Sequence, residues 1–156
     1  MNVYKILIVE DDRGLNQGIA LALKEETVEF LSALTLAQAQ EIWKNNAVDM
    51  VLLDVNLPDG SGYELLKEIR RTSQIPVLML TANDLEIDEV TGFSLGADDY
   101  ITKPFSLMVL RARVERMRFR IRQTEAYGYE DERFQFCYDE MRYLVYGLGY
   151  VWEKRE

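Results

Sequence analysis

Four short apolar runs, each followed at once by polar residues, constrain the fold of this chain more than any other feature. The runs are Ile6–Val9, Met50–Leu53, Pro76–Leu80 and Tyr100–Ile101. Continuous apolar runs with polar ends are typical of parallel strands that are buried on both faces. Because ligands bind beyond the carboxyl ends of the strands in an open parallel sheet, we expect the polar residues at these ends to converge on one site.

Helical patterns alternate with these strand patterns. Val28–Leu31 supplies a further short strand, and apolar residues recur at helical spacing in five segments, the last two over about residues 84–94 and 107–121. Five strands and five helices in strict alternation predict an α/β fold, a doubly wound (βα)5 sandwich around a parallel five-stranded sheet. We expect a short β-rich segment after it.

The composition excludes several functions. The chain contains no histidine, so any phosphohistidine in its chemistry must belong to a partner, and its net charge of −9 argues against broad nucleic-acid binding. The single cysteine, Cys137, excludes an intrachain disulfide and fits a reducing compartment. No apolar run approaches membrane-spanning length, and the first strand begins too early for a signal peptide. We therefore expect a cytoplasmic protein with no membrane partner.

Three carboxylates are predicted to lie together at the strand ends. Glu10 and Asp11 follow the first strand, and Asp54 ends the third. Like charges held this close repel unless they share a cation, and Mg²⁺ prefers oxygen ligands of this kind, with Mn²⁺ as an alternative. An acidic run such as Glu10–Asp12 also suits the start of a helix, so a capping role alone is the competing interpretation.

Thr81 and Lys103 end the fourth and fifth strands and complete the predicted site. A hydroxyl and an ammonium there would donate hydrogen bonds to a phosphoryl group that lands on Asp54. Taken alone, Thr81 is more simply explained as an ordinary strand threonine, and Lys103 as a solvated lysine. Their coincidence with the carboxylates favours phosphoryl chemistry.

Several motifs occur together in the order and spacing of a known family. They are Glu10-Asp11-Asp12, Asp54-Val55-Asn56-Leu57-Pro58, Thr81-Ala82, Asp98-Asp99-Tyr100 and Lys103-Pro104-Phe105. The set resembles the receiver domain of two-component response regulators over residues 1–121, which implies a flavodoxin-like fold. The resemblance divides the chain into a receiver domain, 1–121, and a C-terminal segment, 122–156.

The resemblance implies a role for each site residue. Asp54 would be the phosphoacceptor, phosphorylated by a sensor histidine kinase, and Glu10, Asp11, Asp54 and the main-chain carbonyl of Asn56 would bind the metal. Lys103 would contact the phosphoryl group. The protein would catalyse only its own phosphorylation and dephosphorylation, and so act as a switch and not as a metabolic enzyme.

The resemblance also implies a conformational change. Thr81 would move toward the phosphoryl oxygens while Tyr100 turns inward, and two pre-existing arrangements would change in population. The peptide bond between Lys103 and Pro104 is expected to be cis.

Residues 96–105 look most like the OmpR/PhoB class of transcription factors, which form homodimers through the face of the fourth helix, fifth strand and fifth helix. Glu89 stands where the class usually has a basic residue and Val109 where it has an acidic one, so one expected salt bridge is absent. The residues that could supply others are Asp98, Asp99, Arg113 and Arg116.

The fifth predicted helix also carries many arginines. They are Arg111, Arg113, Arg116, Arg118, Arg120 and Arg122. A solvated helix face or ion pairs with acidic neighbours explain them better than contact with a nucleic acid does.

The C-terminal segment is dense in aromatic residues. Alternation over Phe134–Tyr138, a turn at Asp139-Glu140 and a returning strand over Tyr143–Tyr146 predict a hairpin that resembles the start of a winged-helix effector domain. Gly147–Trp152 resembles the last strand of that domain. The helices that should lie between are missing, including the one that reads DNA. Our hypothesis is that this segment joins the two ends of a truncated effector, and DNA is a partner only of a complete one.

Three functions remain open from the sequence. The first is a phosphorylation-dependent receiver that switches a transcriptional regulator. The second is a stand-alone receiver that acts through protein contacts. The third, a phosphohydrolase of the haloacid dehalogenase type, normally has a second aspartate two positions after the nucleophile, where this chain has Asn56.

Overall fold

The structure is a computed structural model that describes residues 3–82 and 94–127, with side chains as far as residue 119. The predicted fourth helix, apart from its last residue, and the predicted C-terminal strands lie outside the described residues, as does Glu89. The described residues up to Val114 belong to one compact unit. Within the described residues, no helix is both long and apolar enough to cross a bilayer.

The described residues contain seven strands. In chain order they are β1 Tyr4–Val9, β2 Val28–Ala33, β3 Met50–Asp54, β4 Asn56–Leu57, β5 Gly60–Ser61, β6 Val77–Thr81 and β7 Asp99–Thr102. Five of them form one parallel sheet in the order β2-β1-β3-β6-β7. The predicted five-stranded parallel sheet of a flavodoxin-like fold is confirmed. The order of the strands changes direction at β1, because β2 lies on one side of it and the later strands lie on the other.

The four described helices begin and end at typical signals. They are α1 Arg13–Ala22, α2 Leu36–Asn45, α3 Gly62–Thr72 and α4 Leu107–Tyr127. Asp12 caps α1 by accepting from the main-chain N–H of Leu15, and Ser61 caps α3 in a reciprocal pair with Glu64. Helix α4, the fifth predicted helix, is described as far as Tyr127, six residues beyond the predicted residue 121.

The core lies on both faces of the central strands. Every residue of β3 and β6 is buried, as predicted for continuous apolar runs. Each helix contributes one apolar stripe, for example Leu65, Leu66 and Ile69 from α3, all of which are fully buried. The burial fixes the strand register, so the polar residues at the strand ends can occupy only the carboxyl edge of the sheet.

Candidate functional site

The polar strand ends meet at one edge of the sheet, as predicted. Asp54 is opposite Leu80 in the pairing of β3 with β6, and Thr81 is opposite Thr102 in the pairing of β6 with β7. Glu10 follows the last residue of β1 directly, and Lys103 follows the last residue of β7. Parallel pairing in register therefore places four distant parts of the chain side by side.

Three carboxylates cluster at this edge. Each of Glu10, Asp11 and Asp54 offers one oxygen, and the three oxygens lie within 4.8 Å of one another. Glu10 and Asp54 are buried, whereas Asp11 is exposed. An all-oxygen set that is open on one side fits Mg²⁺, which keeps several of its waters. Asp12 lies outside the set because it caps α1, so the acidic run serves both the helix and the pocket.

Lys103 is the cation of the pocket. Its Nζ lies 2.9 Å from Asp54 Oδ2 and 2.6 Å from Glu10 Oε1. Glu10 Oε1 is buried and accepts no hydrogen bond of good geometry. At 2.6 Å the opposite charges of Glu10 and Lys103 attract each other at any hydrogen-bond angle, so the contact is an ion pair. The buried oxygen thus keeps a lone pair without a hydrogen bond, and a metal ion could bind an oxygen of this kind.

Burial and charge act against each other in the pocket. Burial raises the pKa of Glu10. The contact with Lys103 and the hydrogen bond from the Asp12 main chain lower it by less, so the pKa is raised overall. Burial alone would lower the pKa of Lys103, but its contacts with the carboxylates of Glu10 and Asp54 outweigh that effect and the pKa is raised. The lysine therefore keeps its charge and partly offsets the repulsion between the carboxylates.

The family of the chain follows from comparison with known proteins. The model of the response regulator receiver domain matches residues 6–115. The chain belongs to this family. The recognition made from the motifs is confirmed, and the haloacid dehalogenase alternative gains no support.

Curated relatives share this receiver over about half of their length. The sensory transduction protein RegX3 of Mycolicibacterium smegmatis is 43% identical over 109 residues, which are 70% of this chain and 48% of RegX3. The regulatory protein VanR of Enterococcus faecium is 40% identical over 111 residues, which are 71% of this chain and 48% of VanR.

Solved receivers have the same fold. DrrB of Thermotoga maritima, described as an OmpR/PhoB homolog, is 35% identical with a TM-score of 0.70, and the match covers 76% of this chain and 54% of DrrB. The receiver domain of Francisella response regulator 1452 is 31% identical with a TM-score of 0.69, covering 76% and 98% of the two chains. These matches agree with the class indicated by residues 96–105.

The remaining predicted residues of the receiver also occupy the carboxyl edge. Thr81 is fully buried, and its main-chain oxygen accepts from the N–H of Lys103 at 2.7 Å. The main-chain N–H of Asn56 donates to Asp54 Oδ1 at 3.0 Å, so Asn56 orients the Asp54 carboxylate. A metal contact through the carbonyl of Asn56 stays a prediction. The bond between Lys103 and Pro104 is cis, as predicted.

Sequence reasoning missed Asn16, a buried residue of α1. Its Nδ2 donates to the main-chain oxygen of Glu10 at 3.0 Å, and its Oδ1 accepts from the hydroxyl of Ser32 at 2.7 Å. Asn16 therefore ties the start of the acidic run to β2. The available signal was a polar residue next to Leu15 and one turn before Ile19, on the apolar side of α1.

Gly62 is a second missed residue. Its N–H donates to the oxygen of Val55 at 2.7 Å, and a Cβ at this position would lie 2.1 Å from the oxygen of Asp54. Only glycine lets the first turn of α3 approach Asp54 and Val55 this closely. The strands β4 and β5, which were not predicted, bring residues 56–61 back to make this approach.

Two acidic residues of the predicted dimer contacts are paired within the chain. Asp98 Oδ2 lies 3.0 Å from Arg70 Nη2, and Asp99 Oδ1 lies 3.3 Å from Arg113 Nη1. The pairing of Arg113 agrees with the interpretation that ion pairs account for part of the arginine-rich helix.

Proposed function

We propose that Asp54 accepts a phosphoryl group from the phosphohistidine of a sensor histidine kinase. An oxygen of the Asp54 carboxylate attacks phosphorus, an O–P bond forms, and the N–P bond breaks, so that its electron pair returns to the partner's imidazole. The product is an acyl phosphate on Asp54, which water later hydrolyses to the carboxylate and inorganic phosphate.

The position of Asp54 is the observation that carries the proposal. The carboxylate lies at the end of a central strand, with Oδ1 held by the N–H of Asn56 and Oδ2 by the ammonium of Lys103. Both oxygens are thereby oriented before a phosphoryl donor arrives. Orientation of a nucleophile in advance lowers the entropic cost of the attack.

The acidic cluster supplies the place for a metal ion. Glu10, Asp11 and Asp54, with the carbonyl of Asn56, would hold Mg²⁺, with Mn²⁺ as an alternative. When bound, such an ion neutralises negative charge on the phosphoryl oxygens. Lys103 adds a second positive charge from the end of β7, and its hydrogen bond to Asp54 is available to shift to a phosphoryl oxygen.

Phosphorylation would act as a switch through Thr81 and Tyr100. A phosphoryl group adds about two negative charges and several hydrogen-bond acceptors beside the Thr81 hydroxyl. The arrangement in which Thr81 donates to it and Tyr100 lies inward would then gain population. The receiver turns over only its own phosphoryl group and no separate substrate.

The output would be transcriptional. The resemblance to a class of transcription factors and the similarity to proteins named for sensory transduction and regulation support this, and a cytoplasmic location accords with it. DNA would be bound only by a chain with a complete effector domain. Homodimers would use the face that includes β7 and α4, where Val109 is 45% exposed and offers an apolar contact in place of the absent salt bridge.

Intact mass spectrometry tests the proposal. The chain is incubated with a small acyl phosphate and Mg²⁺, alone, as Asp54→Asn, and as the matched control Asp59→Asn, which makes the same change at an exposed position. One phosphoryl adduct is expected in the parent and the control. It should be absent from Asp54→Asn and from the parent with a chelator. No adduct in the parent at any time, including the first seconds, would contradict the proposal.

A further inference from the structure

The switch tyrosine has a hydroxyl partner that the phosphorylation site does not require. Tyr63, in the first turn of α3, and Tyr100, in β7, share a hydrogen bond between their hydroxyl groups. Neither the motifs nor the roles implied by the family resemblance assign a function to Tyr63.

Tyr100 is already inward in this structure. Its side chain is 5% exposed and belongs to the core cluster that contains Leu65 and Ile69, while Tyr63 is partly buried against the same cluster. The main chain of Tyr100 is fixed separately, because its carbonyl accepts from Arg113 Nη1. The bond to Tyr63 therefore bears on the orientation of the ring and not on the position of the strand.

Tyr63 is also next to the contact between α3 and the phosphoacceptor segment. Gly62 donates to the oxygen of Val55, and the oxygen of Asp54 occupies the space of the missing Cβ of Gly62. The first turn of α3 cannot move without disturbing this contact. One short stretch, Gly62-Tyr63, thus touches the phosphoacceptor segment at one residue and the switch tyrosine at the next.

We propose that Tyr63 is a positioning residue for Tyr100 and that the Tyr63 hydroxyl holds the switch ring inward. The signalling meaning of the inward arrangement rests on the function proposed above, whereas the hydroxyl pair itself does not. A receiver with this hydroxyl pair has a larger resting population of inward Tyr100 than one without it. Helix α3 then connects Asp54 to Tyr100 by a second route, beside the one through Thr81.

The size of the effect follows from the strength of one neutral hydrogen bond. Its net contribution corresponds to an equilibrium shift of about twofold to tenfold. Tyr63→Phe removes the hydroxyl and keeps the ring, so the packing against the core is retained. The matched control is Tyr4→Phe, because the Tyr4 hydroxyl donates to the oxygen of Asp49, remote in sequence from the switch.

Fluorine NMR of the full chain labelled with 3-fluorotyrosine measures the ring directly. The Tyr100 resonance is assigned with Tyr100→Phe among the nine tyrosines, and its exposure is measured as broadening by a dissolved gadolinium chelate, without Mg²⁺ or acyl phosphate. We expect the broadening of Tyr100 to rise by about twofold to tenfold in Tyr63→Phe and to stay at the parent value in Tyr4→Phe. Equal broadening in all three proteins would overturn the proposal.

Two further measurements separate the causes. Denaturant unfolding of Tyr63→Phe and Tyr4→Phe should give similar stabilities, so that a selective change at Tyr100 reports orientation and not general loosening. The mass adduct on Asp54 is measured on the same samples. If no adduct forms but the broadening of Tyr100 rises in Tyr63→Phe, the phosphorylation proposal is rejected and the role of the hydroxyl pair is kept. If the adduct forms but the broadening does not change, only the role of the hydroxyl pair is rejected.

Discussion

Lys103 donates to the carboxylate of Asp54 across 2.9 Å, although 49 positions of sequence separate them. The same ammonium is paired with Glu10, so one cation serves two buried carboxylates. Removing it would leave like charges facing each other at the end of the sheet, which makes Lys103 important for the stability of the receiver as well as for its chemistry.

Lys103→Met should therefore destabilise the receiver in the absence of divalent cations. Since the Lys103 side chain is 21% exposed and solvent screens part of the charge, we expect a loss of about 1–3 kcal/mol, below the cost of breaking a fully buried pair. Mg²⁺ should restore more stability to the variant than to the parent, because it replaces the missing charge. Denaturant unfolding with and without Mg²⁺ checks this, with exposed Lys67→Met as control. An unchanged stability and Mg²⁺ response would contradict it.

Gly62→Ala should disrupt the contact of α3 with Asp54 and Val55. The added Cβ would lie 2.1 Å from the oxygen of Asp54, so the backbone must shift, at a cost of about 1–3 kcal/mol. Gly14→Ala is the matched control, since its Cβ would meet only Asp12 Oδ1 at 3.4 Å and alanine favours the helix by about 0.5–1 kcal/mol. Thermal unfolding should shift in opposite directions for the two variants. A Gly62→Ala variant that is as stable as the parent, or more stable, would show that the close approach at Gly62 is not tight.

Asn16→Ala should weaken both the fold and the metal site. The change leaves the buried main-chain oxygen of Glu10 without the Asn16 amide, which costs about 1–3 kcal/mol, whereas the hydroxyl of Ser32, an exposed residue, can bond to water instead. The acidic run would then be held less firmly, so Mg²⁺ should bind severalfold more weakly by calorimetric titration. Asn45→Ala removes an exposed asparagine of α2 and serves as control. Parent-like Mg²⁺ affinity in Asn16→Ala would reject a positioning role for Asn16.

Asp59 should give the receiver a pH-dependent contribution to stability at the start of α2. Hydrogen bonds from the N–H groups of Ala37 and Leu36 lower the pKa of Asp59 below its usual value. Because the folded pKa is below the unfolded one, this contribution is present above the unfolded pKa of about 3.9 and is lost as the pH falls through the folded pKa. Asp59→Asn should be less stable than the parent at neutral pH, and the difference should shrink below about pH 4. Unfolding curves across this range check it; a constant difference would contradict it.

The sheet and four of the site residues could be predicted because both follow from local sequence. Continuous apolar runs indicated buried strands, and polar residues placed directly after them could meet only at the carboxyl edge. Glu10, Asp54, Thr81 and Lys103 were found in this way. The acidic run Glu10–Asp12 could cap a helix or bind a metal on sequence grounds alone. The structure shows that Asp12 caps α1 and that Glu10 and Asp11 lie in the carboxylate cluster.

Other residues could not be found from the sequence because their roles depend on contacts between distant elements. The amide of Asn16 acts across α1, β1 and β2, and Tyr63 matters only because β7 presents Tyr100 to the first turn of α3. Strands β4 and β5 have two residues each and no detectable alternation. Helix α4 continues past the predicted residue 121 to Tyr127, the last described residue, and the division between 1–121 and 122–156 stays a prediction.

The most direct test of the account is to locate the phosphoryl group at a single residue. After brief reaction with a small acyl phosphate and Mg²⁺, borohydride reduces an aspartyl phosphate to homoserine, and peptide mass spectrometry then finds the changed position. The account predicts homoserine at position 54 and at no other aspartate, and none after reaction with chelator present. Homoserine at Asp11 or Asp12 instead, or at no position in a sample whose intact mass shows the adduct, would contradict the assignment of Asp54 as the phosphoacceptor.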